Sequence, residues 1–208
     1  MLADSTFRRL IIVATLVLTL EGQLSTSIGI RLSNDFGGVQ YVFPFGDVHG
    51  VQMLGVLKAV NTILVVLLAL KVNSLLRQLP DRARVFAGIA LYAGGFAVLA
   101  VTNTAWLLLL AVVVLTFGEL MNTPVQQGGL LAELAPEEGR PPRYMAAYYL
   151  HIRFGQVVNS LLISLSAVLS TLGMAGIYLL FGVVILMQYR VILDRRPARA
   201  AAQALSSV

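Results

Sequence analysis

Six stretches of the chain stay apolar for about 20 residues each, the length of helix needed to cross a hydrocarbon core about 30 Å thick. They run Leu10 to Ile30, Gly50 to Val72, Val85 to Val101, Ala105 to Gln127, Met145 to Ser170 and Gly173 to Val191. With 58% hydrophobic and 12% charged residues among 208, the composition is that of a bilayer protein rather than a soluble domain. The sequence therefore predicts an all-α integral membrane protein. It divides into an N-terminal segment 1–9, a six-helix transmembrane bundle over 10–192 and a tail 193–208.

Charge sets the topology. Arg8 and Arg9 precede the first span, and Lys71, Arg77, Arg82 and Arg84 surround the second connection. Arg140 and Arg143 lie in the fourth connection, and Arg190, Arg195, Arg196 and Arg199 follow the sixth span. The alternate connections hold only Arg31, so the positive-inside rule predicts that the N and C termini are both cytoplasmic. A secretory signal peptide is the rival reading of Arg8 to Leu20, but the apolar run resumes past Glu21 and no clear small-x-small cleavage site follows Leu20.

The net charge of +5 is dispersed between the spans and forms no basic cluster of the kind that binds nucleic acid, so no nucleic acid partner is expected. Zero cysteines exclude a disulfide framework or a thiolate metal site, and two histidines offer few other ligands. No metal or cofactor is expected.

Four charges fall inside the spans: Glu21 in the first, Lys58 in the second, Glu119 in the fourth and Arg153 in the fifth. Charge in hydrocarbon is costly unless it faces a bundle interior or water, so these are candidate functional residues. Taken as units of about 10–101 and 105–192, the chain repeats one pattern: an acid in the first helix, a base in the second and no charge in the third. Three is odd, so the two units are inverted in the membrane, as in many transporters whose site lies at the repeat interface. Glu21 and Lys58 fall at similar depth, which predicts an ion pair, either static or opened by protonation of Glu21.

In the fourth span, "GELMNTPVQQGG" places Glu119, Asn122 and Gln126 at i, i+3 and i+7 on one helix face. Pro124 leaves the Leu120 carbonyl without its donor. A kinked, polar-faced helix lining a cavity follows; the alternative is a polar face packed on a neighbouring helix. Gln23 and Asn61 are further polar candidates on the first and second spans. On the fifth, Tyr148, His151 and Arg153 stand near one end, with Gln156, Asn159 and Ser160 deeper. His151 is a proton-relay candidate or an interfacial histidine, and Arg153 a residue that snorkels to headgroups. Phe36, Tyr41, Phe43 and Phe45 in the long outer loop are expected at the membrane interface.

The combination "EGQLSTSIGIRL", "VLKAVNTILVVLLAL" and "GELMNTPVQQ", with the basic connection "LLRQLPDRARV", resembles the C-terminal half of a major facilitator superfamily transporter of the drug:proton antiporter, multidrug-resistance type. Asp81 and Arg82 match the acidic-basic core of that family's loop motif, while Arg77 and Arg84 replace two of its glycines. The resemblance implies proton-coupled efflux of drug-like or cationic amphipathic small molecules across the inner (plasma) membrane, and no enzymatic activity. It implies that Glu21 and Glu119 face a central cavity, that Lys58 and Arg153 sit near the seam between halves, and that the third and sixth spans face lipid.

Family members usually carry twelve spans, so the resemblance also implies a second six-span half, supplied by another chain or a homodimer. A non-transporting membrane subunit or a transporter fragment that needs such a partner is the alternative. An intramembrane enzyme lacks any metal-ligand pair, nucleophile elbow or phosphate loop.

Overall fold

A computed structural model describes residues 5–76, 78–131 and 143–206. Arg77 and Arg140 of the predicted basic connections lie outside the described residues. The elements are α1 (Ser5–Ser25), α2 (Ser27–Asp35), β1 (Gln40–Val42), β2 (Gly46–Val48), α3 (Gly50–Leu76), α4 (Asp81–Val101), α5 (Ala105–Thr123) with a π-helical continuation (Pro124–Leu131), α6 (Arg143–Ser166) and α7 (Thr171–Ser206). Five segments are long and apolar enough to cross a membrane: Ser5–Asp35, Gly50–Val72, Asp81–Val101, Ala105–Gln127 and Thr171–Arg196. The predicted fifth span corresponds to α6, which is not among them. Its 24 residues would extend about 36 Å, and it bears His151, Arg153, Gln156, Asn159 and Ser160.

The long helices pack in sequence, α3 on α5, α5 on α4, α4 on α7, α7 on α1 and α1 on α6, and α2 at the far end packs on α3. The helices form an arc whose two lips are α3 and α6. Exchanging the first three long helices with the last three leaves this order unchanged, because α3 swaps with α6, α5 with α1 and α4 with α7. The arrangement corrects one expectation: α4 lies at the arc's centre, with 56% of its span buried, and α3 is the least covered, at 17%. α4 is buried because small residues let α5 come close. A Cβ on Gly118 would meet the Gly88 carbonyl oxygen at 2.5 Å and the Tyr92 nitrogen at 2.6 Å, and only glycine permits that approach. Tyr92, Phe96 and Tyr178 then stack edge to face across α4 and α7, with centroids 5.0 and 6.1 Å apart.

Both termini lie at one end of the arc. There Arg195 donates to Ser5 Oγ at 2.6 Å, Arg9 to Gln188 at 2.6 Å, and two ion pairs join α4 to α7, Arg82–Asp194 at 3.0 Å and Arg196–Asp81 at 2.6 Å. The helices run past the predicted segment limits, with α1 beginning inside 1–9 and α7 continuing through most of the tail.

At the far end the first span is broken at Thr26, whose φ of −112° and ψ of −98° leave the helical region. α2 then carries Arg31 across to α4, where its guanidinium binds Asn103 and donates to the carbonyls of Leu99 and Thr102, each at 2.7 Å. Arg31 thus caps the C-terminal carbonyls of a helix, where positive charge is favoured. A two-stranded hairpin follows, pairing Tyr41 with Asp47 and turning through Gly46 at φ +77°. The Gln40 amide straddles the α4–α5 turn, donating to Asn103 O and accepting from Ala105 N. Tyr41, Phe43 and Phe45 are exposed, whereas Phe36, expected at the membrane interface with them, is buried in the core, because α2 turns it inward at the start of the loop.

Candidate functional site

The gap between the arc's lips holds a cavity of about 460 Å³ between α1, α3 and α6. Its polar lining is Glu21, Lys58, Asn61, Thr62, Gln156 and Asn159. Glu21 points there because Thr19 and Gln23, on the opposite side of α1, are buried, and Lys58 because Leu57 takes the buried position beside it. The predicted level of Glu21 and Lys58 agrees with their shared cavity. The predicted pairing does not: among the described residues they form no ion pair within 4.0 Å. Both side chains face the open space of the cavity between the lips.

Asn61 accepts a 2.6 Å hydrogen bond from Thr116 on α5, which fixes α3 to the scaffold at cavity level. Glu119, one turn further along α5, is half-buried and lies within electrostatic reach of Glu21, with Tyr92 near both.

The rest of the predicted polar face is elsewhere. Pro124 does end the regular α-helix, and the π-helical turn that follows directs Gln126 into the interior, as inserted turns of this kind do. Asn122 and Gln126 are buried, Asn122 donating to Gln126 Oε1 at 3.1 Å. Gln126 Oε1 also accepts from Tyr189 of α7, and its Nε2 donates to Tyr148 of α6, both at 3.3 Å. These residues line no wall of the central cavity; they tie three helices together.

Gln23 plays the same part nearer the far end. Fully buried, it accepts from Tyr178 of α7 at 3.1 Å and donates to Asn159 of α6. Tyr178 and Tyr189 were not predicted to matter, since in sequence they are two aromatics in an apolar run. Their spacing of 11 residues, three helical turns, is the signal that puts both on one face.

Arg153 is exposed and donates to Gln156 at 3.3 Å, so it reaches toward the cavity only through Gln156. His151 Nδ1 lies 2.5 Å from the Tyr148 carbonyl oxygen of its own helix. The loop residues Asp81 and Arg82 meet Arg196 and Asp194 at the terminal end, far along the helices from the cavity. No cluster of three metal-ligating side chains occurs among the described residues.

An arc of apolar helices with a charged, hydroxyl- and amide-lined cavity at its mouth defines a polytopic membrane protein able to hold a small polar or cationic ligand. No family model matches the sequence. Over 121 residues, 58% of this chain, it is 30% identical to a protein of Planococcus maritimus described as a Na(+), Li(+), K(+)/H(+) antiporter. The matched stretch covers 28% of that protein's length. The similarity supports a membrane transporter; the drug-exporting type of the sequence resemblance goes beyond it.

Proposed function

We propose that this chain is a six-span half of a proton-coupled antiporter that exchanges protons for cations, either alkali metal ions, as the relative's description says of that protein, or the cationic amphipathic molecules of the sequence resemblance. The observation that carries the reading is Glu21 in the cavity at the mouth of the arc, opposite Lys58 and within reach of Glu119. A carboxylate in such a place is neutral when protonated and attracts a cation when ionised, so proton and cation compete for it. That competition is coupling. Lys58 keeps the empty, ionised site from holding a cation too tightly, and Asn61, Gln156 and Asn159 make the surrounding wall polar.

Among the described residues α2 meets both lips at the far end, and much of their apolar surface stays uncovered. Val66, Leu67 and Leu70 of α3 are exposed, and so are Phe154, Val157 and Leu161 of α6. A second half, from another chain or a second copy, would cover the cavity and complete the path in the plasma membrane. Inverted repeats over 10–101 and 105–192, with both termini cytoplasmic, fit the exchange symmetry of the packing order. The burial of Asn122 and Gln126 away from the cavity favours, for those two residues, the alternative of a polar face packed on neighbouring helices.

The test is proton-gradient-driven flux in proteoliposomes, with Na⁺, K⁺ and a cationic dye as separate arms. The wild type is expected to move at least one of them, and Glu21→Gln and Glu119→Gln to lose the dependence on the gradient. Gradient-driven flux retained in both variants would overturn the assignment.

A further inference from the structure

A second cavity, of about 480 Å³, lies at the far end between α2, the end of α6 and the start of α7. Ser27, Asn34, Asp35, Ser166 and Tyr178 give it oxygen-rich walls. Arg31 also borders it, but two of its guanidinium nitrogens are directed to Asn103 and the α4 carbonyls. The two cavities share a wall of three side chains. Tyr178, in the wall of the far cavity, donates to Gln23; Gln23 donates to Asn159; and Asn159 is in the wall of the central cavity. Gln23 is 0% exposed, and besides the two bonds that cross it its amide donates only within its own helix, to Thr19 O at 3.4 Å, among the described residues.

This wall stands where the first span breaks. The Thr26 N–H turns to Gln23 O at 3.3 Å, and its hydroxyl bridges Gly22 O at 2.9 Å and Asn159 Oδ1 at 3.3 Å. Glu21 of the central cavity is therefore on α1, Asp35 of the far cavity is on α2, and the joint between the two helices carries the partition. α2 itself is held in place, by Arg31 on α4 and by Gly50 of α3 set against the Leu32 carbonyl, so the partition rests on side chains of α1, α6 and α7.

We propose that the far cavity is a second cation site on the same path as the central one, separated from it by a closed septum of Tyr178, Gln23 and Asn159. The inference rests on the transport reading above. Each cavity has one carboxylate, Asp35 or Glu21, and amide and hydroxyl oxygens beside it, the ligand chemistry of a hard monovalent cation. The septum is polar, so it re-forms specifically, and it is buried, so no water replaces the bonds that link the helices across it.

The chain has no cysteine, so single introduced thiols report accessibility without background. Ser166→Cys in the far cavity and Thr62→Cys in the central one are placed in the reconstituted protein and exposed to a cationic, membrane-impermeant methanethiosulfonate added only at the face opposite the termini. Ser166→Cys is expected to react readily, and Thr62→Cys at least tenfold more slowly. Adding Gln23→Ala is expected to speed the Thr62→Cys reaction at least tenfold. Tyr178→Phe, which keeps the ring and removes one bond, is expected to speed it less, and this variant decides the matter if Gln23→Ala fails to reconstitute. An unreactive Ser166→Cys, or a Thr62→Cys rate unmoved by the septum substitutions, would overturn the proposal. The readout needs no transport, so its failure leaves the antiport reading standing, and absence of flux leaves the septum result standing.

Discussion

Among the helix pairs that glycine brings into close contact, α4 with α5 and α1 with α6 differ in what the glycine meets. Gly118 of α5 faces backbone, the Gly88 carbonyl and the Tyr92 amide of α4. Gly22 of α1 faces the end of a side chain, the Asn159 amide of α6, which a Cβ would meet at 3.0 Å. Backbone of a packed helix cannot yield, whereas an amide on a rotatable side chain can. The first contact is therefore scaffold. The second can readjust, and the central cavity and the septum are both on its side of the molecule.

Three substitutions test that contrast. Gly118→Val puts branched carbon where main-chain atoms already stand, and overpacking of a tight core costs about 1–3 kcal/mol even where side chains can move. Here the loss is expected to be at the top of that range or beyond, seen as absence of monodisperse protein on size exclusion. Gln126→Leu comes next. It strands the Tyr189 hydroxyl and the Asn122 amide and takes a donor from Tyr148, and unsatisfied buried groups cost about 1–3 kcal/mol each. A drop in thermal midpoint in detergent, with the protein still folded, is the expected result. Gly22→Ala should be smallest in stability, within about 1 kcal/mol, because only Asn159 must shift. If Gly22→Ala proved as damaging as Gly118→Val, the distinction between scaffold and adjustable contact would fail.

How far the sequence disclosed this arrangement depends on whether a feature is local. Long apolar runs and the placement of arginines are local, so the helices and the shared end of the two termini were legible, and so were Glu21 and Lys58 at one level. The break at Thr26 was not, because neither Thr26 nor Ser27 breaks a helix by its own preference and the bonds to Gly22 and Asn159 that shape it are partly tertiary. The hairpin was missed although Gly37, Gly38 and Gly46 adopt positive φ, since three-residue strands leave too little alternation to read. The face of Glu119, Asn122 and Gln126 was read with regular helical geometry, and the π-helical turn after Thr123 redirects its last member. Helical spacing alone could not say whether that face meets water or tyrosines.

Competition between proton and cation at Glu21 is the central claim, and proton release on cation binding measures it most directly. Purified protein in weakly buffered detergent solution near neutral pH is titrated in turn with Na⁺, K⁺ and tetraphenylphosphonium while pH is recorded. The account predicts that at least one of these cations releases protons saturably, and that Glu21→Gln abolishes the release while leaving the thermal midpoint in place. Saturable binding without proton release, or release of the same size from Glu21→Gln, would contradict it.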